Sequence, residues 1–139
     1  MPLQIPDSHK DLVDGPIYVI LTTLMPDGQP QSSVVWWDRE GDYVRVNTAR
    51  GRQKDKNMRR DPKVTIAAVD PKDPFRWLEV RGTVEEITEE GGVEHIEALS
   101  QKYRGREYYS GPAGEERRKQ ETRVKVKIRP TRIVAYPTR

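Results

Sequence analysis

Six cationic side chains crowd one short stretch of this chain: Arg50, Arg52, Lys54, Lys56, Arg59 and Arg60, with Asp55 the one carboxylate among them. The stretch follows Asn47-Thr48 at the end of an alternating apolar segment and takes on helical character up to Asp61-Pro62. Helix stops there because the residue before a proline disfavours the helical backbone. The first turn of a helix offers unpaired backbone N–H groups and the positive end of its dipole, so an anion is welcome at that point. Arg52 and Lys54 flank it. Arginine grips a phosphate in a two-pronged fork and lysine adds a compact charge. One phosphate held by several donors is the ligand these residues predict. A solvated helix face is the alternative use of such a run. A nucleic-acid groove would interleave aromatic rings with the cations. The basic segment has none, so no nucleic-acid partner is expected.

Two further groups bear on chemistry. Gln31-Ser32-Ser33-Val34-Val35-Trp36-Trp37 reads as a strand, and neighbouring tryptophans on a strand face opposite ways. One then fills the core and the other a dimer interface. The strand backbone with Ser32 and Ser33 suits one edge of a flat ring, and Trp77 on a later strand suits a wall of the same cleft. Near the end of the chain, Arg123, Lys125, Lys127 and Arg129 alternate with Val124, Val126 and Ile128. Charges at such positions protect a sheet edge, and Arg123, at the strand start, is placed to meet an anionic tail. Tyr103, Tyr108 and Tyr109 read as aromatic punctuation of a surface loop.

Composition removes several classes of chemistry. The chain has no cysteine, which excludes disulfides, thiolate nucleophiles and cysteine-ligated zinc. Its two histidines, His9 and His95, lack metal-ligand spacing, and no GxSxG or GxGxxG is present. No catalytic residue and no metal site is therefore singled out. No apolar run approaches the ~20 residues that cross a bilayer, and the start does not read as a signal peptide. A cytoplasmic protein without membrane association is expected. The formal charge of +3 favours anionic partners. With 139 residues and 34% hydrophobic content, one domain over 1–139 is expected, and its thin apolar supply favours a homodimer.

The elements that must position these groups follow from periodicity and turn chemistry. A short helix is predicted over 7–14, and strands over 17–24, 31–37, 43–47, 63–69, 75–87 and 122–136. Pro26-Asp27-Gly28 and Glu40-Gly41-Asp42 supply turns, and Gly82 marks a bend or bulge in the long strand. The basic helix falls after the third strand, an amphipathic helix over 88–103, and a loop over 105–114. The expectation is a mainly β fold with some α: a six-stranded antiparallel barrel with edge helices.

Three stretches, LTTLMPDGQPQSSVVWW (21–37), VNTARGRQKDKNMRRDPKV (46–64) and WLEVRGTVEEI (77–87), together resemble the split β-barrel flavin and deazaflavin oxidoreductases related to pyridoxamine phosphate oxidase. The middle stretch is the most specific, and the closing IRPTRIVAY is similar too. The resemblance spans nearly the whole chain and is nearest to the branch using coenzyme F420, a deazaflavin with a phosphate and a polyglutamate tail. It implies a homodimer with cofactor sites at the subunit interface. Arg52 and Lys54 match the positions holding the cofactor phosphate, and Gln31, Ser32, Ser33 and Val34 the strand beside the ring. Asn47, Thr48 and Asn57 match neighbours of the phosphate and linker, Trp77 and Leu78 the opposite wall, and Arg123 a basic position facing the anionic portion. The implied reaction is hydride transfer to a small conjugated acceptor, with water able to supply the proton. The phosphate grip is shared with FMN-binding members, so FMN is the alternative cofactor. A protein that binds the cofactor without turnover is the alternative function.

Overall fold

The structure is a computed structural model and describes residues 3–138. Seven antiparallel strands form one sheet: β1 (Val19–Leu24), β2 (Pro30–Val35), β3 (Trp37–Glu40), β4 (Tyr43–Ala49), β5 (Lys63–Asp70), β6 (Asp73–Thr88) and β7 (Arg123–Tyr136). Among the described residues, four α-helices accompany them, α1 (Asp11–Asp14), α2 (Gln53–Arg60), α3 (Gly92–Arg104) and α4 (Gly111–Gln120), with a 3-10 turn over Asp7–His9 before α1.

The six-strand expectation is corrected to seven, and the reason lies at Trp36. The segment read as one strand over 31–37 breaks there into β2 and β3. The strand order is β2-β1-β5-β6-β7-β4-β3, so these consecutive strands occupy opposite edges of the sheet. A single residue joins them. The sheet must curl until its edges approach, which produces a split half-barrel. The two tryptophans part at that break: Trp37 enters the barrel core and Trp36 packs against the cluster of Ile96 and Leu99. Trp37 is fully buried in the barrel and donates its indole N–H to the Leu12 carbonyl at 3.0 Å.

The barrel interior is filled by one side of each strand: Val19 and Leu21 of β1, Ile66 and Ala68 of β5, Leu78 and Val80 of β6, Val44 and Val46 of β4, Val124, Val126 and Ile128 of β7. Leu12 and Val13 of α1 and Met58 of α2 close the ends. Gly82 sits at a register shift between β6 and β7, where an added Cβ would lie 2.7 Å from the Arg129 carbonyl oxygen. The predicted bulge is therefore present, and its glycine answers to a close approach of two backbones.

The opposite side of the sheet carries an apolar band in register. Val34 pairs with Ile20 and Ile20 with Ala67; two residues along, Val69 pairs with Trp77 and Trp77 with Tyr136. Val34 is 60% exposed, and Ile20, Val69 and Tyr136 lie between 40% and 48%.

α3 begins later than the sequence reading placed it. Thr88 and its pairing belong to β6, and Gly91, at φ 78, makes the turn into the helix. The expected loop over 105–114 ends early. Gly111 starts α4, a largely exposed helix with Pro112 in its first turn and Gly114 against the Tyr109 backbone. Its periodicity is invisible because it buries almost no side chain.

Candidate functional site

A cleft of about 240 Å³ opens where β2, β4, α2, α3 and the start of β7 converge. Its walls are apolar: Val34, Val35 and Trp36 from the β2–β3 junction, Ile96 and Leu99 from α3. Its polar groups are Asn47, Arg52, Lys54 and Arg123, with Tyr18 and Tyr108 at the margins.

The cations reach the cleft by local backbone design. Gly51, at φ 92, turns the chain after β4, and its N–H is accepted by the buried Asp55 carboxylate at 2.8 Å. Asp55 also accepts from Arg59 at 2.9 Å, so this first-turn carboxylate is occupied within α2. Arg52 caps the helix from an extended backbone, and Lys54 follows in the first turn. Burial, with Arg52 and Arg123 close by, holds the Lys54 ammonium below the ordinary lysine value. Arg123 is 5% exposed and donates from Nε to the Asn47 amide oxygen at 2.8 Å. Three cations thus converge with Glu121 as the neighbouring anion, 3.4 Å from both Arg52 and Arg123. Burial opposes ionisation of Glu121; the Tyr109 hydroxyl, Arg123 and Arg52 overcome it and hold its carboxyl below the usual range. Positive charge stays in excess, and an anion entering the cleft would relieve it.

Glycine fixes the roof. An added Cβ on Gly92 would lie 2.2 Å from the Arg123 carbonyl oxygen, so only glycine lets α3 start against β7. Trp36 stacks on Tyr103, centroids 5.2 Å apart, and the Tyr103 hydroxyl donates to the Ile17 carbonyl at 2.7 Å. Burial pushes that hydroxyl up to about 12, which keeps it a donor. Tyr108 is ringed by guanidinium groups, with Arg117, Arg123 and Arg104 at 4.5, 5.2 and 5.4 Å from its centroid.

Of the twelve residues singled out from sequence, Val34, Asn47, Arg52, Lys54 and Arg123 line this cleft. Gln31 and Ser32 lie farther along β2, where the Ser32 hydroxyl bonds Thr22 Oγ1 at 2.8 Å. The Ser33 hydroxyl is buried without a hydrogen-bond partner among the described residues, as is that of Thr48, which points into the barrel. Asn57 also stays away from the cleft. It is fully buried and donates to Thr23 Oγ1 at 3.0 Å, tying α2 to β1. Leu78 is core, and Trp77 stacks on Tyr136 on the outer face, so neither walls the cleft of a single chain. Sequence reasoning missed the α3 wall and Tyr108. Ile96 and Leu99 were legible only as the apolar stripe of an amphipathic helix, whose partner no local pattern reveals.

Residues 5–135 match the sequence family described as pyridoxamine 5′-phosphate oxidase. No curated protein sequence matches the chain. Among solved structures, one named an F420 reductase is 31% identical, with a TM-score of 0.80 over 94% of this chain and 98% of its own. A conserved hypothetical protein of Mycobacterium tuberculosis is 24% identical, with a TM-score of 0.74 over 96% and 85% of the two chains. The HupZ protein of Group A Streptococcus is 23% identical, with a TM-score of 0.70 over 97% and 96%. The last two share the fold.

Proposed function

This chain belongs to the pyridoxamine 5′-phosphate oxidase family, and from that premise we propose that it is an oxidoreductase using reduced coenzyme F420, acting on a small conjugated acceptor. The observation that carries this reading is the convergence of Arg52, Lys54 and Arg123 in a cleft whose other walls are apolar. Such a cleft fits a flat conjugated ring attached to a phosphate. Burial first, and then Arg52 and Arg123 beside it, disfavour the charged form of Lys54, and a bound phosphate would offset both. Likeness to a protein named F420 reductase favours the deazaflavin over FMN.

Arg52 and Lys54 would hold the phosphate, Arg123 the anionic portion beyond it, and Val34 with Trp36 the edge of the ring. When bound, the cofactor supplies a hydride to an electron-poor double bond. The chain's own contribution is to bind, orient and shield the reacting ring, with the single proton that completes the reduction taken from solvent. Tyr103 and Tyr109 are engaged with the Ile17 carbonyl and the Glu121 carboxylate, and neither is assigned as an acid.

The working unit in this proposal is a homodimer. The single-chain cleft lies below the ~300–1,000 Å³ usual for small-molecule sites. Tyr18 and Val34 border it and are exposed by 61% and 60%, the latter within the apolar band. A second copy seated on that band would bury it and complete the cleft, with the partner subunit's Trp77 as the opposite wall.

The test is turnover. Purified protein is mixed with reduced F420 and a panel of cyclic and open-chain enones, following both cofactor oxidation and acceptor reduction. Stoichiometric loss of both supports the reductase. Tight cofactor binding with no acceptor reduced would reassign the chain as a cofactor-binding protein.

A further inference from the structure

A chain of buried and half-buried polar groups runs behind the cleft and ends on one of its cations. Arg45 donates to both Asp38 oxygens at 2.9 and 2.8 Å. His95 Nε2 lies 3.1 Å from Asp38 Oδ1, and His95 Nδ1 lies 3.1 Å from Asn47 Nδ2. Asn47 Nδ2 also meets the Gly92 carbonyl at 2.9 Å, while its Oδ1 accepts from Arg123 Nε at 2.8 Å. His95 is 4% exposed and Asn47 8%. Burial opposes ionisation of Asp38, but its bonds to His95 and then Arg45 hold it below the usual carboxylate range.

The donor and acceptor roles in this chain run one way. An ionised carboxylate only accepts, so His95 must donate from Nε2. In the neutral ring Nδ1 is then an acceptor, and it takes an N–H from Asn47. The Gly92 carbonyl demands the same amide nitrogen independently. The amide oxygen is left facing Arg123, where a donor is required and one is present. Among the described residues, the other hydrogen bonds of the Arg123 side chain, Nη1 to Tyr108 Oη and to Glu121 Oε1, are long at 3.5 and 3.4 Å. At those lengths they orient the guanidinium weakly, so the short Asn47 bond dominates its placement.

We propose that Asp38, His95 and Asn47 form a directional relay that fixes the Arg123 guanidinium at the cleft, making His95 a positioning residue for the anion site. The relay explains why polar groups occupy a buried space that apolar packing would fill at lower cost. It extends the cofactor reading by naming what holds one of the anchoring cations, and in that respect rests on it.

The experiment is a double-mutant cycle in F420 affinity, using the parent, His95→Phe, Arg123→Ala and the double variant. If His95 acts through Arg123, His95→Phe alone weakens binding about tenfold. The double variant then binds no worse than Arg123→Ala. Equal affinity of parent and His95→Phe, or additive losses, would overturn the relay. A second reading needs no variant in the relay: nitrogen spectra of the imidazoles, assigned with a His9→Gln variant. The relay requires His95 to carry its proton on Nε2 at neutral pH, and a proton on Nδ1 would overturn it. If the parent fails to bind F420 at all, the cofactor assignment falls, and the imidazole spectrum still decides the relay.

Discussion

The paired strands β4 and β7 present two faces that obey different rules. Into the barrel they turn Val44 against Ile128 and Val46 against Val126; outward they turn Arg45 against Lys127, Asn47 against Lys125 and Ala49 against Arg123. The inner face needs residues that are apolar and of roughly the right volume, and several sequences would satisfy it. On the outer face Asn47 has one orientation that satisfies His95, Gly92 and Arg123 together. Stability is therefore concentrated on the inner face and, under the proposed function, binding specificity on the outer one, one residue apart along the same strands.

Substitutions can break that division. The largest loss of stability is expected on the inner face at Trp37, which pairs with Val46 and is fully buried. Trp37→Ala should cost about 3–5 kcal/mol in urea denaturation, partly by orphaning the Leu12 carbonyl. Next comes the double variant Arg52→Ala with Lys54→Ala. It should weaken cofactor binding by roughly a hundredfold, about 2.7 kcal/mol from two charge-assisted contacts, while the unfolding midpoint stays within error. A matching loss of stability would show that these cations belong to the scaffold.

Asn47→Leu sharpens the comparison, because it makes the outer face apolar like the inner one. Three polar groups lose their partner, so about 1–3 kcal/mol of stability should go, together with affinity. An unchanged affinity would detach Asn47 from the site.

The pattern of what sequence revealed follows the same division. Alternation along β4 and β7 marked the inner face plainly, since period-two patterning is a one-strand signal. The bulge at Gly82 and the turns at Gly28 and Gly41 were equally local. The break at Trp36 was not, because VVWW has strand character throughout. Only closure of the sheet, which places β2 and β3 at opposite edges, separates them. Arg52 and Lys54 were legible as charge beside a helix start. Asn57, in the same run, was named through the family resemblance, and its side chain turns inward to Thr23. His95 and Asp38 carried no motif; they sit 57 residues apart and meet only through packing of α3 on β3 and β4.

A smaller effect is expected from pH. Lys54 titrates below its ordinary 10.5, burial being the first cause. Its protonated form favours a bound anion, so affinity should fall as pH rises from neutral through the alkaline range below 10.5. In the free protein the sign is opposite. Below the unfolded value the depressed ammonium binds fewer protons than the unfolded chain, and stability rises with pH across that window. Affinity measured against pH for the parent and Lys54→Met should show the decline in the parent alone. The smallest effect is expected at Lys56, which is exposed on α2 outside the cleft. Lys56→Ala should change stability by less than about 0.5 kcal/mol and leave cofactor affinity as it was.

The central question is whether this cation cluster holds a deazaflavin phosphate. The direct measurement is fluorescence titration of the purified protein with F420 and with FMN in parallel, repeated on Arg52→Ala with Lys54→Ala. Saturable F420 binding, weaker FMN binding and loss of the F420 signal in the double variant are expected. F420 binding that survives both substitutions, or a preference for FMN, would contradict that expectation.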